Sequence, residues 1–221
     1  MTRRLDQAAS DKEGVLQEVE EVAPLTITQL PSTHPTLLEL DQVGLTVSGR
    51  QLFDNLSFKV APHDCVLLTG DNGSGKSSLI KAIMGQPVDQ VTGAIRLAHG
   101  TKVSLVRQQY TDQHGSLTAF AQRNHLPVDQ LLNMLRKLGM ERASFTTPID
   151  QMSMGQQKKV ELTRSLLTPA QLYIWDEPLN YLDTYNQEQL VQLIKQECPA
   201  MLIIEHDQHF IDEVATKRVT I

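Results

Sequence analysis

Cysteine is scarce in this chain of 221 residues, which holds only Cys65 and Cys198. The two are far apart, with no paired spacing, so neither a zinc site nor a disulfide framework is predicted. That fits a reducing, cytoplasmic setting. Positive charge is also short. The formal net charge is -6, so there is no global basic field to draw the chain to nucleic acid, and only local patches could do so. No apolar run approaches the length that crosses a membrane. Any membrane-embedded partner would be another chain. The start, Met1-Thr2-Arg3-Arg4-Leu5-Asp6, has no apolar stretch after its arginines, so no secretory signal is predicted.

Residues 1–35 differ from the rest. Asp11 to Val22 is acidic, with Val15, Leu16, Val19 and Val22 at loosely helical spacing. Pro24, Pro31 and Pro35 then interrupt it. This region reads either as a short helix with a linker or as a mobile acidic tail. Strand patterns begin at Leu37. Leu38, Leu40, Val43, Leu45 and Val47 mostly alternate with polar residues, and Leu56 to Val60 alternates too, which suits a half-buried antiparallel sheet. The unbroken apolar runs Cys65–Thr69, Leu172–Trp175 and Met201–Ile204, with Val103–Val106, suit buried parallel strands. Helices are predicted from Lys76 to Met84, Val128 to Leu138, Gly155 to about Leu167, and Gln187 to Lys195. Leu131, Leu132, Leu135 and Leu138 are expected on the buried face of the second. Strand–helix alternation predicts a parallel sheet with right-handed crossovers.

Gly70-Asp71-Asn72-Gly73-Ser74-Gly75-Lys76-Ser77 matches the phosphate-loop pattern Gly-x4-Gly-Lys-Ser. Glycines let successive backbone N–H groups turn toward phosphate oxygens, and the following helix adds its positive dipole end. Gly70, Asn72, Gly73, Ser74, Gly75, Lys76, Ser77 and Ser78 are the expected nucleotide contacts. Lys76 would reach the β- and γ-phosphates, and Ser77 would ligate Mg²⁺. With no internal repeat, the chain holds one such unit. Asp176 and Glu177 follow a buried strand, at the edge where open α/β sheets bind ligands. Asp176 is the expected Mg²⁺ partner, and Glu177 the general base acting on water. Trp175 reads as a core aromatic.

Ser153 and Gln156 form a capping-box pattern at a helix start. In front of Asp176-Glu177, the peptide Ser153-Met154-Gly155-Gln156 resembles the signature motif of an ABC ATPase. The tail Leu179-Asn180-Tyr181-Leu182-Asp183 resembles the ABC-F branch, and with Gly155 to Val160 is similar to the second ABC domain of antibiotic-resistance ABC-F proteins of the Lsa/Vga-like group. The resemblance covers about Leu37 to Ile221. It implies an α/β fold, the P-loop NTPase ABC domain: a parallel core sheet, an antiparallel β subdomain and an α-helical subdomain at about 110–155. The domain would span residues 36–221, with residues 1–35 resembling the end of an interdomain linker.

The resemblance also assigns roles. Gln108 becomes the Q-loop glutamine, a catalytic residue and Mg²⁺ ligand, although adjacent Gln109 competes for that place. His206 becomes the switch histidine at the γ-phosphate. Ser153, Gly155 and Gln156 would act in trans on nucleotide held by a second ABC domain. Asp183 becomes the D-loop residue. ATP with Mg²⁺ is the implied ligand, a second ABC domain the implied partner, and the ribosome an implied target. Two departures stand out. Met154 replaces the first signature glycine, and Val47 stands where an aromatic usually stacks on adenine. Such a chain would be a half-protein, a truncated product or a fragment. A transporter ATPase subunit is the rival reading, and a nucleotide-binding module without turnover is a third.

Overall fold

The computed structural model describes residues 23–110 and 112–221. The acidic segment read as a helix or tail, Asp11 to Val22, lies outside the described residues. Strands β1 (Leu38–Val47) and β2 (Arg50–Val60) form an antiparallel hairpin. Its two-residue turn has Ser48 and Gly49 at φ 52° and 72°, the left-handed pair that matches strand twist. After β3 (Cys65–Thr69) and helix α1 (Lys76–Ile83), strand β4 (Gln90–Leu97) pairs with the other edge of β1. This sheet has the order β2-β1-β4.

The second sheet holds β3, β5 (Val103–Val106), β6 (Leu172–Asp176), β7 (Met201–Ile204) and β8 (Lys217–Thr220). Its order is β5-β6-β7-β3-β8, and every pair is parallel. Alternate residues of its strands face opposite ways. Val66, Leu68, Ile174 and Leu202 pack with Leu38, Leu40 and Leu79. Leu67, Tyr173, Trp175 and Ile203 pack with Leu162, Leu166 and Leu190. These latter belong to α4 (Met154–Leu167) and α5 (Thr184–Glu197). Burial on both faces is why these strands read as unbroken apolar runs. Each such side chain contributes about 1.5–3 kcal/mol relative to exposure.

A third cluster stabilises the helical region. Leu117 and Phe120 of α2 (Leu117–Arg123) meet Leu131 and Leu135 of α3 (Val128–Lys137), and Ile149 and Val160 close the group. On α3, Leu132 is only partly buried, and Met134 takes its expected place in the buried stripe. Helix α6 (Gln208–Val214) completes the set.

Part of the expected linker packs tightly on the domain. Leu25 and Ile27 are buried in the same cluster as Tyr173 and Leu166. Thr28 N donates to Leu166 O at 2.9 Å, Leu30 N to Ala170 O at 2.8 Å, and the Tyr173 hydroxyl to Thr28 O at 2.6 Å. These bonds satisfy backbone at the α4–β6 junction that burial would otherwise leave costly.

Candidate functional site

The phosphate loop joins β3 to α1, so its geometry follows from the strand that feeds it. Gly70 has φ 148°, and a Cβ there would meet the Ile221 carbonyl oxygen at 2.1 Å. Gly75 begins α1 at φ 109°, with the Leu52 and Phe53 side chains 3.0 and 3.1 Å from a would-be Cβ. Only glycine fits either place without backbone movement. Lys76 is buried, and its Nζ donates to the carbonyls of Gly70 and Asp71, both at 2.8 Å. The ammonium is thus held inside the curl of the loop.

Asn72, Gly73, Gly75, Lys76, Ser77 and Ser78 wall a cleft of about 500 Å³, together with Gln108, Glu177 and Leu52. Ser74 belongs to the same loop, its hydroxyl oxygen buried and without a hydrogen-bond partner among the described residues. An adjoining cavity of about 260 Å³ shares Ser77 and Gln108 and adds Gln109 and Asp176. Strand β6 delivers Asp176 to this edge nearly buried, at 6% exposure. Burial pushes its carboxyl pKa up, opposed by a hydrogen bond from Ser77. Its Oδ1 has no hydrogen-bond partner among the described residues.

Glu177 leaves the strand at φ 49°, a left-handed conformation that non-glycine residues seldom adopt. Its amide donates to Ile204 O at 2.9 Å. Its Oε2 accepts from Gln108 Nε2 at 2.9 Å and from Asn180 Nδ2 at 2.7 Å. Of the two adjacent glutamines, Gln108 is therefore the one whose side chain meets Glu177. Asn180, three residues on, is a partner to which the sequence analysis gave no role beyond its place in the peptide resembling the ABC-F branch.

The remaining expected residues lie elsewhere. His206 follows β7, is exposed, and does not line the cleft. Among the described residues, only its backbone N–H makes a hydrogen bond, to Glu205 at 2.8 Å. Ser153 caps α4 in a complete capping box: its Oγ accepts from Gln156 N at 3.3 Å, and Gln156 Oε1 accepts from Ser153 N at 3.0 Å. A Cβ on Gly155 would meet the Tyr181 carbonyl at 2.9 Å, so the signature helix abuts the turn after Glu177. Neither Ser153, Gly155 nor Gln156 lines the cleft. Asp183 caps α5 by accepting from Asn186 N at 2.8 Å, and lies 3.6 Å from Lys159 Nζ. Val47 ends β1 and is not among the residues that line the cleft, of which Leu52 is the apolar one.

Among the described residues, Lys158 and Glu161, both on α4, are buried charged residues that the sequence reading missed, because charged residues in a helix ordinarily face water. Burial pushes the Lys158 pKa down to about 8, against the carboxylates of Glu161, Glu205, Asp176 and Glu177. Its Nζ donates to the Glu177 carbonyl at 2.7 Å. Burial would raise the Glu161 pKa, but hydrogen bonds and charge from Arg107 and Arg164 outweigh it and pull it to about 2. Gln113 Nε2 also donates to Glu161, at 2.6 Å.

The family model described as ABC transporter matches residues 53–180. Ribosome protection protein VmlR of Bacillus subtilis is 29% identical over 97% of this chain. The chain spans only 40% of that protein. Zinc import ATP-binding protein ZnuC of Pseudomonas savastanoi pv. phaseolicola is 30% identical, over 79% of this chain and 68% of the relative. A solved structure of the ATP-binding subunit of an ABC transporter superposes with TM-score 0.69, covering 84% of this chain and 86% of that one at 22% identity. The loop, the strand-end carboxylates, the capped helix before them and these likenesses agree: the chain belongs to the ABC transporter family, as one of its ATP-binding domains.

Proposed function

We propose that this chain is one ATPase half of an ABC-F-type protein acting at the ribosome. It binds Mg-ATP in the cleft and turns it over slowly until a second ABC domain completes the site. The Gln108–Glu177 hydrogen bond carries the ATPase part of this reading, because both side chains line the cleft that the phosphate loop walls. Backbone amides of the loop and Lys76 would hold the phosphates. Glu177 would accept a proton from the attacking water while Gln108 orients it. Ser77 and Asp176 offer hard oxygen donors, and the orphaned Asp176 Oδ1 suits Mg²⁺. When bound, that ion neutralises charge on the β- and γ-phosphate oxygens. His206 would join only after movement toward the cleft.

Ser153 and Gly155 stand outside the chain's own cleft, which supports their acting in trans. Phosphoryl transfer depends on positioning and charge stabilisation, so half a site should bind substrate and catalyse poorly. Specific activity is expected to rise with protein concentration, while Mg-ATP binding is unaffected. Sizing with and without Mg-ATP, run beside phosphate release, checks this. Fast hydrolysis by a demonstrated monomer would sink the composite-site account.

Likeness to VmlR favours the ribosome, and likeness to ZnuC favours a transporter. The Asn180-Tyr181-Leu182-Asp183 peptide and the longer match to VmlR support the former. No described helix is long and apolar enough to cross a membrane. Co-sedimentation with ribosomes, against co-purification with a membrane protein, separates the two.

Base selectivity should be weak. Among the described residues that line the cleft, Leu52 is the apolar one and none is aromatic, the Phe53 ring lying against Gly75 outside that lining. Stacking on an aromatic is worth about 1–3 kcal/mol per base in nucleic-acid contexts. GTP is expected to bind within about tenfold of ATP, or about 1.4 kcal/mol. Competition titration measures this, and a hundredfold preference would mean that another group reads the base.

A further inference from the structure

Two charged side chains have no part in that mechanism, yet both are buried one turn apart on α4: Lys158 is 2% exposed and Glu161 0%. Buried charges persist only where partners repay desolvation, so where these two reach is informative. Lys158 Nζ donates to the Glu177 carbonyl at 2.7 Å. Glu161 accepts from Arg107 three times: backbone N at 3.1 Å, Nε at 2.8 Å and Nη2 at 3.0 Å. Arg107 is the residue before Gln108. The two loops that α4 grips are therefore the ones whose side chains meet, Gln108 Nε2 to Glu177 Oε2 at 2.9 Å.

Glu177 also needs holding. At φ 49°, its backbone stays left-handed only where surroundings over-determine it. Ile204 takes its amide and Lys158 supplies its carbonyl with a donor. Pro178 follows, which fixes the next φ and disfavours a helical alternative before it.

We propose that Lys158 and Glu161 are positioning residues through which α4 aligns Gln108 with Glu177. This rests on the reading of Glu177 as the base. The helix whose N-terminus carries Ser153 and Gly155 then has two outputs. Its tip faces a partner's nucleotide, and its buried flank sets the chain's own water-handling pair. Pressure on the tip arrives at the chain's own cleft through two side chains.

Lys158→Met tests the stronger arm. Methionine has similar length and is apolar, so the fold should tolerate it, with the melting temperature within a few degrees of the parent. Hydrogen exchange read by mass spectrometry should quicken at least tenfold across Glu177–Leu182, while Val160–Leu166 of α4 keeps its protection. Single-turnover hydrolysis with the chain in excess over Mg-ATP should slow at least tenfold, with affinity for a fluorescent ATP analogue within threefold. Lys158→Arg, which restores a charged donor, should recover most of both. Glu161→Gln should quicken exchange of the Arg107 amide in the same way. If Lys158→Met does not fold, Lys158→Gln, too short to reach the carbonyl, carries the same expectations.

Parental exchange at Glu177–Leu182 in a folded variant overturns the proposal. So does loss of protection spread evenly along α4 and β6, which would mark Lys158 as merely structural. The base assignment fails separately: Glu177→Gln would then hydrolyse ATP at the parental rate, and the exchange result would still decide for or against Lys158.

Discussion

Glu177→Gln is expected to keep Mg-ATP binding and to lose turnover by about 10²- to 10⁴-fold, the usual span of general acid–base catalysis. The substitution is nearly isosteric, so the turn and its Asn180 and Gln108 neighbours can stay in place. What goes is the charge and the basicity that draw a proton from water. Affinity should hold because phosphates are gripped on the other wall of the cleft, by the loop. Lys76→Ala is the contrast. Its ammonium sits 2.8 Å from the Gly70 and Asp71 carbonyls, inside the curl that would take the phosphates. Its loss should weaken binding itself. Nucleotide titration and single-turnover phosphate release, run on both variants, separate the two effects. Parental turnover in Glu177→Gln would mean that water is activated elsewhere.

Glu161→Ala is expected to cost about 3–5 kcal/mol of stability, the range seen when one partner of a buried ion pair is removed. Two guanidinium groups would lose their shared acceptor: Arg107 Nε at 2.8 Å and Arg164 Nη2 at 2.7 Å. In a domain of this size that lowers the melting temperature by on the order of 10 °C. The same pair makes stability depend on acid. The Glu161 pKa is lowered from 4.5 to about 2 on folding, so folding favours its ionised form. Its contribution, about 3 kcal/mol by linkage, is present above pH 4.5 and is lost as pH falls toward 2. The parent and Glu161→Gln should therefore differ most near neutrality and converge in acid. Urea unfolding midpoints at pH 7 and pH 3 measure the gap. A gap that stays constant would show that Glu161 does not titrate with folding.

The buried parallel strands were legible because an unbroken apolar run that short suits a strand covered on both faces, and the phosphate loop because its spacing is specific. Strand β4 was not. Its residues are mostly exposed, Gly93 interrupts it at φ 73°, and it lies at the sheet's edge, where one-sided packing leaves little alternation. Strand β8 is another edge, short and carrying Lys217 and Arg218. Helices α2 and α6 have seven residues each, too few for a periodic signal. The packing of Leu25 and Ile27 was hidden among prolines, in a region whose composition suggests a tail. In the site, motif residues could be read from spacing, but the links between them could not. Which glutamine meets Glu177 depends on where β5 ends. Whether Lys158 and Glu161 face water or the interior depends on what packs over α4, and no local pattern encodes that.

The single tryptophan of the chain gives this architecture an optical consequence. Trp175 has no exposed surface, and its indole N–H donates to Ser165 Oγ at 2.9 Å. It stands beside Asp176 on one strand and touches the helix that holds the Glu161 ion cluster. Intrinsic emission excited at the red edge, where tyrosine absorbs little, thus has one source, and it is fully buried in the sheet. Its colour shifts when water enters between α4 and β6, so the unfolding of each Glu161 variant can be followed without any attached label.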